Sequence, residues 1–492
     1  MDYKKFLELS NKYNIVPVYE RIAADLLTPV SAYLKIRNNN SSSFLLESVE
    51  GIGRLARYSF IGVNPSMLVS NNYKLISIKN STDTEIINKN IFDYLKELIK
   101  KFEYPKIDEL PYFTGGLVGY IGFDNISLIE ESINYNTELE SIAPDSILGL
   151  YNSLIIFDHF KHQIILIHNV DCTDKNNIQN KYEAAKEEIN KLKELLNKKI
   201  DYKSNFKSNP LPLTHNEEEE FCELVKTSKR NIYNGDVFQI VLSKRFEANY
   251  EGDPFNVYRA LRMINPSPYM YFMEFDNNIK IIGTSPEDLL KVKNRKAEIL
   301  PIAGTRRRGK TEEEDLELEN NLLNDPKEIA EHVMLVDLAR NDLGRFCKLG
   351  TVKISERMKI HRFSHVMHIV SRVEGILKDD VDCIDALKAS FPAGTVTGAP
   401  KIRAIQLIND YEKIKRGIYA GAVGYIDFSG NLDMCIAIRT LFATKNKIYW
   451  QAGAGIVADS KPELELKEVK NKSAVLINAL NCAEVIDENL SY

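Results

Sequence analysis

No apolar run in this chain outgrows a β-strand. The longest, such as Leu154-Ile155-Ile156-Phe157 and Ile164-Ile165-Leu166-Ile167, stop at polar residues, and up to about Asn169 β-branched and aromatic runs recur between Gly, Asn, Asp and Pro. Such a pattern builds sheets. A membrane helix needs about 20 consecutive apolar residues, and the opening Met1-Asp2-Tyr3-Lys4-Lys5-Phe6 breaks every apolar stretch with charge, so neither a membrane span nor a signal peptide is expected. The 492 residues, 44% of them hydrophobic, supply core for roughly two to four domains.

Charge removes further classes. Lys and Arg number 64 against 69 Asp and Glu, a net −5 without the cationic excess that dominates nucleic-acid affinity. DNA, RNA and anionic membranes are therefore not expected partners. The six cysteines (Cys172, Cys222, Cys347, Cys383, Cys435, Cys482) form no CxxC pair, which speaks against a zinc cage or disulfide framework and for the reduced thiols of a cytoplasmic protein.

Residues 182–199 read as one charged amphipathic helix, followed by a polar, Pro-containing stretch without periodicity. The expected division is a region at 1–200, a linker at 201–215, and a region at 216–485 in which helical and strand patterns interleave. One echo crosses it: Gly116-Leu117-Val118-Gly119-Tyr120-Ile121 and Gly421-Ala422-Val423-Gly424-Tyr425-Ile426. Chance similarity of two Gly-rich core strands and two related sheets packed face to face are both open readings.

Two helices carry paired carboxylates. Asp325-Pro326-Lys327-Glu328 opens the first, with Asp325 suited to N-cap, Pro326 to the first helical position and Glu328 to a capping box. Glu331 lies one turn on, on the same face, without such a structural task; Val333, Leu335, Val336 and Leu338 are expected to bury the helix. The second starts at Ser460-Lys461-Pro462-Glu463, with Ser460 as expected cap and Glu463 as its box partner; Glu465, Glu468 and Lys472 then share a face. An isolated ExxE is ordinarily a solvated stripe. Two on capped helices point to a shared hard-cation site, and all-oxygen ligation with few carboxylates fits Mg²⁺, which takes waters and substrate oxygens to complete its shell. An anionic substrate follows.

Gln451-Ala452-Gly453-Ala454-Gly455-Ile456-Val457-Ala458 matches GxGxxA, but the next helix starts only near Pro462 and no further strand or ribose-binding acid follows, so a dinucleotide fold is not expected. Its glycines still let backbone N–H groups approach a carboxylate. The stretch Pro301-Ile302-Ala303-Gly304-Thr305-Arg306-Arg307-Arg308-Gly309 offers a second such loop, its arginines either binding an anion or forming a solvated or acid-paired surface. His332, His361, His365 and His368 cluster in sequence without metal-ligand spacing, and residues 363–370 suit strand or helix. Arg439, inside the apolar run Cys435-Ile436-Ala437-Ile438-Arg439-Thr440-Leu441, must meet an anion if buried: a structural acid or a substrate carboxylate.

These motifs together resemble the chorismate-utilising enzymes, most closely the anthranilate synthase large-subunit (component I) family, over nearly the whole chain. The resemblance is carried by Leu45-Leu46-Glu47-Ser48, Asp236-Val237-Phe238-Gln239, Asn265-Pro266-Ser267-Pro268-Tyr269-Met270, Ser285-Pro286-Glu287, Pro301-Ile302-Ala303-Gly304-Thr305, Glu331-His332, Leu335-Val336-Asp337-Leu338-Ala339-Arg340-Asn341-Asp342, Phe391-Pro392-Ala393-Gly394-Thr395-Val396-Thr397-Gly398-Ala399-Pro400-Lys401 and Gly453-Ala454-Gly455. It implies an α+β fold of large, mostly antiparallel sheets flanked by helices, with a chorismate pocket in a cleft, and a carbon–oxygen lyase that makes anthranilate and pyruvate from chorismate and ammonia.

Position by position, the resemblance implies Glu331 and Glu468 as Mg²⁺ ligands with Glu328 and Glu465 behind them. Gly304, Thr305, Tyr419, Arg439, Gly453, Ala454 and Gly455 would hold chorismate, with Lys472 near its metal-bound carboxylate. Glu287 would protonate the departing C4 hydroxyl, and His368 and Thr395 would act around the ring. Glu47 and Ser48, with Pro268, Tyr269 and Met270, resemble the feedback site for L-tryptophan, the first two suited to its ammonium and the last three to its indole.

Two positions separate the family's branches. Isochorismate and salicylate synthases carry a water-activating lysine where Gln239 stands, and aminodeoxychorismate synthase carries a lysine nucleophile where Ala303 stands; ammonia needs neither. No cysteine here sits in a Gly-flanked nucleophile turn, so the resemblance implies a separate glutamine amidotransferase subunit as ammonia source. The competing reading, a binding-only regulatory relative, is opposed by the presence of every matched residue.

Overall fold

Two antiparallel sheets, each of twelve strands, hold nearly all the strand-length runs. The computed structural model describes residues 1–38, 41–50, 54–80, 82–200, 202–362 and 366–487. The first region contains α1 (Tyr3–Ser10), β1 (Ile15–Ala23), α2 (Pro29–Ile36), β2 (Ser43–Glu47), the small hairpin β3 (Val49–Glu50) and β4 (Arg54–Leu55), and β5 (Tyr58–Val63). It continues with β6 (Met67–Asn72), β7 (Leu75–Asn80), β8 (Thr84–Asn88), α3 (Ile91–Lys100), β9 (Gly116–Ile121), β10 (Ser146–Tyr151), β11 (Ser153–Asp158), β12 (Gln163–Asp171) and α4 (Ile178–Leu196).

In the second region come β13 (Lys207–Pro210), α5 (His215–Tyr233), β14 (Gln239–Glu251), α6 (Phe255–Ile264), β15 (Tyr269–Phe275) and β16 (Ile279–Ser285). Then follow β17 (Asp288–Lys293), β18 (Lys296–Ile299), β19 (Ile302–Arg307), α7 (Glu312–Leu323), α8 (Pro326–Phe346), β20 (Lys353–Arg362) and β21 (Val366–Ile376). Last are α9 (Cys383–Ser390), β22 (Gly398–Ala399), α10 (Lys401–Tyr411), β23 (Ala422–Asp427), β24 (Leu432–Ile436), β25 (Thr440–Ala443), β26 (Lys447–Ile456) and α11 (Pro462–Val485).

Strand β12 shows why unbroken apolar runs were needed. Ile164 and Leu166 pack outward against Phe6, Tyr182 and Ala185 of α1 and α4, whereas Ile165 and Ile167 pack inward with Val118, Tyr120 and Ile147 of the other sheet. The second sheet likewise has an outer face, where Leu117, Leu148 and Met434 meet Phe92 of α3, Val336 of α8 and Leu387 of α9. The result is four layers, helix, sheet, sheet, helix, with both sheets buried on two sides.

The first sheet runs β1-β12-β11-β5-β2-β15-β16-β25-β26-β14-β13 and the second β19-β21-β18-β17-β24-β23-β9-β10-β6-β7-β8. Each sheet therefore draws strands from both regions, and the regions meet at two seams, β2 with β15 and β9 with β23. The stretch 201–215, expected as linker, is not structureless: β13 pairs with β14 from Lys207↔Glu251 to Pro210↔Ala248, because an edge strand can be polar and still complete a ladder. The echo also resolves differently from the face-to-face reading. Its two strings are hydrogen-bonded neighbours in one sheet, with Gly119 opposite Gly424 and each Val opposite the other string's Tyr. The glycines are forced by close approach: a Cβ on Gly119 would stand 1.9 Å from the Ile147 carbonyl oxygen, and one on Gly424 2.0 Å from that of Asp433.

Candidate active site

Site residues collect where the chain leaves one sheet for the other. Glu287 lies in the crossing from β16 to β17, and Arg439 in the return crossing from β24 to β25. Arg439 is thus not inside a strand, as its apolar flanks suggest; it sits between two strands at φ +50°, and both ladders end beside it. Its carbonyl still accepts from the Thr284 N–H at 3.2 Å, and burial of its guanidinium lowers its pKa, opposed by the Glu287 charge. Among the described residues no carboxylate lies within ion-pair distance of it, so the structural acid that would neutralise it is missing.

Burial pushes the Glu287 carboxyl up to about 7, against the pull of the Thr395 hydroxyl, Lys472 and Arg439. The Thr395 Oγ1 is itself buried and faces the Glu287 carboxyl without a well-formed hydrogen bond to any described residue. Such an atom calls for a ligand. Ser285, which sequence reasoning noted only as part of a motif, fixes the crossing: its Oγ donates to the Ile436 carbonyl at 2.7 Å, and the Ile436 N–H donates to the Glu287 carbonyl at 3.0 Å. Asp288, which it missed, accepts from the Leu300 N–H at 3.0 Å and so ties Glu287's neighbour to the loop before β19. A Ser-Pro turn ahead of two acids was the available signal.

The glycines of β26 face the same space. The stretch 453–455 is an interior strand paired to β14, so the dinucleotide reading is excluded by the absence of a strand-to-helix turn at the motif. A Cβ on Gly453 would come 2.6 Å from the Tyr419 hydroxyl, and one on Gly455 2.7 Å from the Gln239 amide nitrogen. Ala454 between them is fully buried on the opposite face. Lys472 donates to the Gly453 carbonyl at 2.9 Å and pairs with Glu468 at 2.7 Å.

Gly304 interrupts β19. The register slips between Ala303 and Thr305, and Gly304 takes φ +74°, a left-handed conformation that suits glycine. Its missing side chain leaves room for Glu328, whose Oε2 lies 3.2 Å from where a Cβ would be. Thr305 is opposite His368 in the ladder; His368 Nδ1 lies 3.0 Å from Thr305 Oγ1 and 3.2 Å from the Gly304 carbonyl. Burial lowers the His368 pKa, helped by Arg439, which favours the neutral imidazole. His368 is on strand β21; His365 lies outside the described residues. The three arginines after Thr305 are acid-paired: Arg306 with Asp325 and Glu328, Arg307 with Glu314, Arg308 with Asp315.

The carboxylate helices form with some changes to their caps. Asp325 caps α8 through the Lys327 and Glu328 N–H groups, but the Glu328 carboxylate turns to Arg306 at 3.2 Å and closes no capping box, an ion pair having displaced the backbone bond. The buried face of α8 is His332, Val336, Ala339, Asp342, Leu343 and Phe346; of the four apolar residues expected to bury the helix, Val336 is buried, Leu335 and Leu338 are half-buried and Val333 is exposed. At α11 the cap position is Lys461, without a side-chain bond, because Ser460 Oγ accepts from the Val457 N–H instead.

Glu331 comes from α8 and Glu468 from α11. Burial raises the Glu331 pKa, and Glu328 and Glu468 raise it further by repulsion. Among the described residues no three His, Cys, Asp or Glu side chains form a ready-made metal cage. Two like charges from separate helices, with Glu328 and Glu465 one turn N-terminal to each, nevertheless fit a hard cation that takes its remaining oxygens from substrate and water.

The expected tryptophan residues lie at the β2–β15 seam, where Tyr269 is the ladder partner of Ser285, two residues before Glu287. Glu47 is buried opposite Met270 and is held by the Tyr258 hydroxyl at 2.6 Å and Arg262 at 2.8 Å. Tyr269 donates to Asp433 at 2.8 Å. Ser48 and Pro268 are half-buried beside them, and residues 51–53 next to Ser48 lie outside the described residues.

An acid raised by burial, an arginine without an acid partner among the described residues, a glycine-rich strand and carboxylates from two helices make up the candidate site. The family model described as chorismate binding enzyme matches residues 42–478. Anthranilate synthase component 1 of Aquifex aeolicus is 44% identical over 493 residues, covering 98% of each chain, and that of Acetivibrio thermocellus 45% over 484 residues, covering 96% of each. The crystal structure of anthranilate synthase component I from Streptococcus pneumoniae superposes with a TM-score of 0.75 at 37% identity, over 93% of this chain and 99% of that one. The chain belongs to the chorismate binding enzymes and, within them, to the anthranilate synthase component 1 family. Among the described residues no helix is long and apolar enough to cross a membrane.

Proposed function

We propose that this chain converts chorismate and ammonia into anthranilate, pyruvate and water, as a cytoplasmic, Mg²⁺-dependent lyase that receives ammonia from a glutamine amidotransferase subunit and is inhibited by L-tryptophan. The observation that carries the reading is Arg439, half-buried with no acid to pair among the described residues, beside the Glu287 carboxyl, which burial pushes up to about 7.

Arg439 and the backbone of 453–455 bind and orient the carboxylates of chorismate, and the Tyr419 hydroxyl closes that wall. Glu287, whose carboxyl burial holds toward its protonated form, gives its proton to the C4 hydroxyl, which leaves as water while ammonia bonds to C2. Thr395 Oγ1, short of a partner, supplies the hydrogen bond that aligns the ring with Glu287. In the second step the C2–H bond breaks, the C3–O bond breaks, and the departing enolpyruvate takes a proton on its methylene carbon; the neutral His368, held at Thr305, is placed to move that proton. Glu331 and Glu468 would hold Mg²⁺, supported by Glu328 and Glu465, and the cation when bound would supply electron withdrawal. Gln239 and Ala303, lacking amines, leave ammonia as the nucleophile.

Chorismate, Mg²⁺ and ammonium salt should give anthranilate fluorescence, with glutamine replacing ammonium only when the amidotransferase subunit is added. Chromatography showing salicylate, isochorismate or 4-amino-4-deoxychorismate instead would overturn the assignment.

A further inference from the structure

Four parts of the proposed chorismate site come from separate stretches: Gln239 at the head of β14, Thr395 in the turn Gly394–Val396, Tyr419 before β23, and Gly453 in β26. One ion pair beneath them contacts the first three and reaches the fourth through Ser243, the ladder partner of Gly453. Arg416 is 3% exposed and makes four N–H···O contacts, each 2.8 Å long. Nε and Nη2 donate to Glu412, Nη1 to the Val396 carbonyl next to Thr395, and Nη2 also to the Val241 carbonyl two residues beyond Gln239. Its guanidinium carbon lies 5.5 Å from the centre of the Tyr419 ring and 4.8 Å from that of Phe123. Glu412 Oε1 in turn accepts from the Ser243 N–H at 2.7 Å and the Ser243 hydroxyl at 2.8 Å, and Ser243 is the ladder partner of Gly453. The next residue, Gly417, is gripped from the first region, its N–H donating to Asp124 at 2.8 Å and its carbonyl accepting from the Phe123 N–H at 2.7 Å.

A buried ion pair is a poor source of stability, because desolvating two charges offsets most of their attraction, and well-packed apolar residues often serve as well. What apolar residues cannot do is hold two carbonyls and a backbone amide from two separate stretches, β14 and the turn at Thr395, in one fixed arrangement. We propose that the Arg416–Glu412 pair is the positioning unit of the chorismate site, setting Thr395, Gln239, Tyr419 and Gly453 relative to one another without itself meeting substrate. This rests on the function proposed above. A misplacement of 1 Å at such groups costs about 10²-fold in rate.

Arg416→Lys keeps a charge for Glu412 but loses the fork that reaches both carbonyls. Its chorismate KM should rise and its kcat/KM fall at least tenfold, measured with ammonium well below the melting temperature, where the surviving fold is intact. The comparison variant is Arg37→Lys, which alters another buried pair, Arg37 with Asp253 at 2.7 Å, outside the site; it should lower the melting temperature and leave KM unchanged. Ser243→Ala, which removes one contact to Glu412 without touching charge, should raise KM two- to fivefold and decides the matter if Arg416→Lys does not fold. Parental KM and kcat/KM in folded Arg416→Lys, parental KM in Ser243→Ala, or an equal KM rise in Arg37→Lys would each overturn the proposal. A parent protein that makes no anthranilate would instead remove the reading on which it rests.

Discussion

The two regions of the molecule trace one path and differ in what they place along it. In the first, β1, β2 and β5 lie in one sheet, β6 to β10 in the other, and β11 and β12 back in the first; in the second, β14 to β16, then β17 to β24 apart from β22, then β25 and β26 repeat that itinerary. Helices α2 and α6 fill the same gap, and α4 and α11 both follow the final strand. At the first crossing one region has Asn64-Pro65-Ser66 and the other Pro286-Glu287. At the return crossing one has Asn152 and the other Ala437-Ile438-Arg439, with Asn64 and Arg439 both at positive φ. Only the second region inserts α7 and α8, and only α11, not α4, has acids in its first turn. The sandwich needs no charge at a crossing. A residue there has left both ladders, so it is the cheapest place in the fold to put a side chain committed to a substrate.

That contrast breaks first at the inserted helix and its partner. Glu468→Gln preserves shape and removes one of the two facing charges, so turnover should fall by about 10³ or more, several kcal/mol of barrier, while melting changes little. Glu465→Gln, one turn away, should lose only about tenfold. EDTA should silence the parent and Mg²⁺ restore it. Equal, mild losses in both variants would make α11 an ordinary solvated helix like α4.

The crossing acid comes next. Glu287→Gln should cost about 10²-fold in kcat, and at fixed free ammonia the parent's rate should fall as pH rises through about 7, where Glu287 loses its proton. Stability should fall with it. The folded carboxyl titrates near 7 rather than its ordinary 4.5, so the native state holds the proton more tightly and its advantage is lost as pH rises across that window. Glu287→Gln should therefore melt later than the parent at pH 8, by about 2 kcal/mol, with the gap closing toward pH 5. A variant less stable than the parent at pH 8 would mean that Glu287 is a structural acid.

Local features of this molecule were readable in sequence because they rest on local physics: the apolar runs of β12, the Asp325-Pro326 start of α8, the shared face of Glu468 and Lys472. What was hidden depended on distant partners. The echo of β9 and β23 gave no register, since a period of two says which face a residue takes and nothing about which strand lies beside it. Arg439 read as mid-strand because the runs on both sides of the crossing are apolar in either sheet. Arg416, in Lys413-Ile414-Lys415-Arg416-Gly417, carries no local signal of burial; only the fold shows Glu412, Val241 and Val396 closing around it.

The smallest effect on turnover is expected at the seam, where the first region contributes Glu47 and Ser48. The Glu47 carboxylate already binds Tyr258 and Arg262, so a tryptophan ammonium would share it, and Ser48 would stand beside the ligand with Pro268, Tyr269 and Met270 across the seam. Inhibition requires that tryptophan prefer one conformation, so its coupling to chorismate must be reciprocal, typically about 1–3 kcal/mol. Calorimetry should show chorismate weakening tryptophan binding by the same factor that tryptophan weakens chorismate. Ser48→Phe fills the seam with a ring and touches no crossing, so it should abolish inhibition and keep at least about half the parent's turnover. If that variant stayed fully sensitive, or the parent were insensitive, the seam would be only a joint between two copies of one frame, and the chemistry at Glu287 and Arg439 would stand without it.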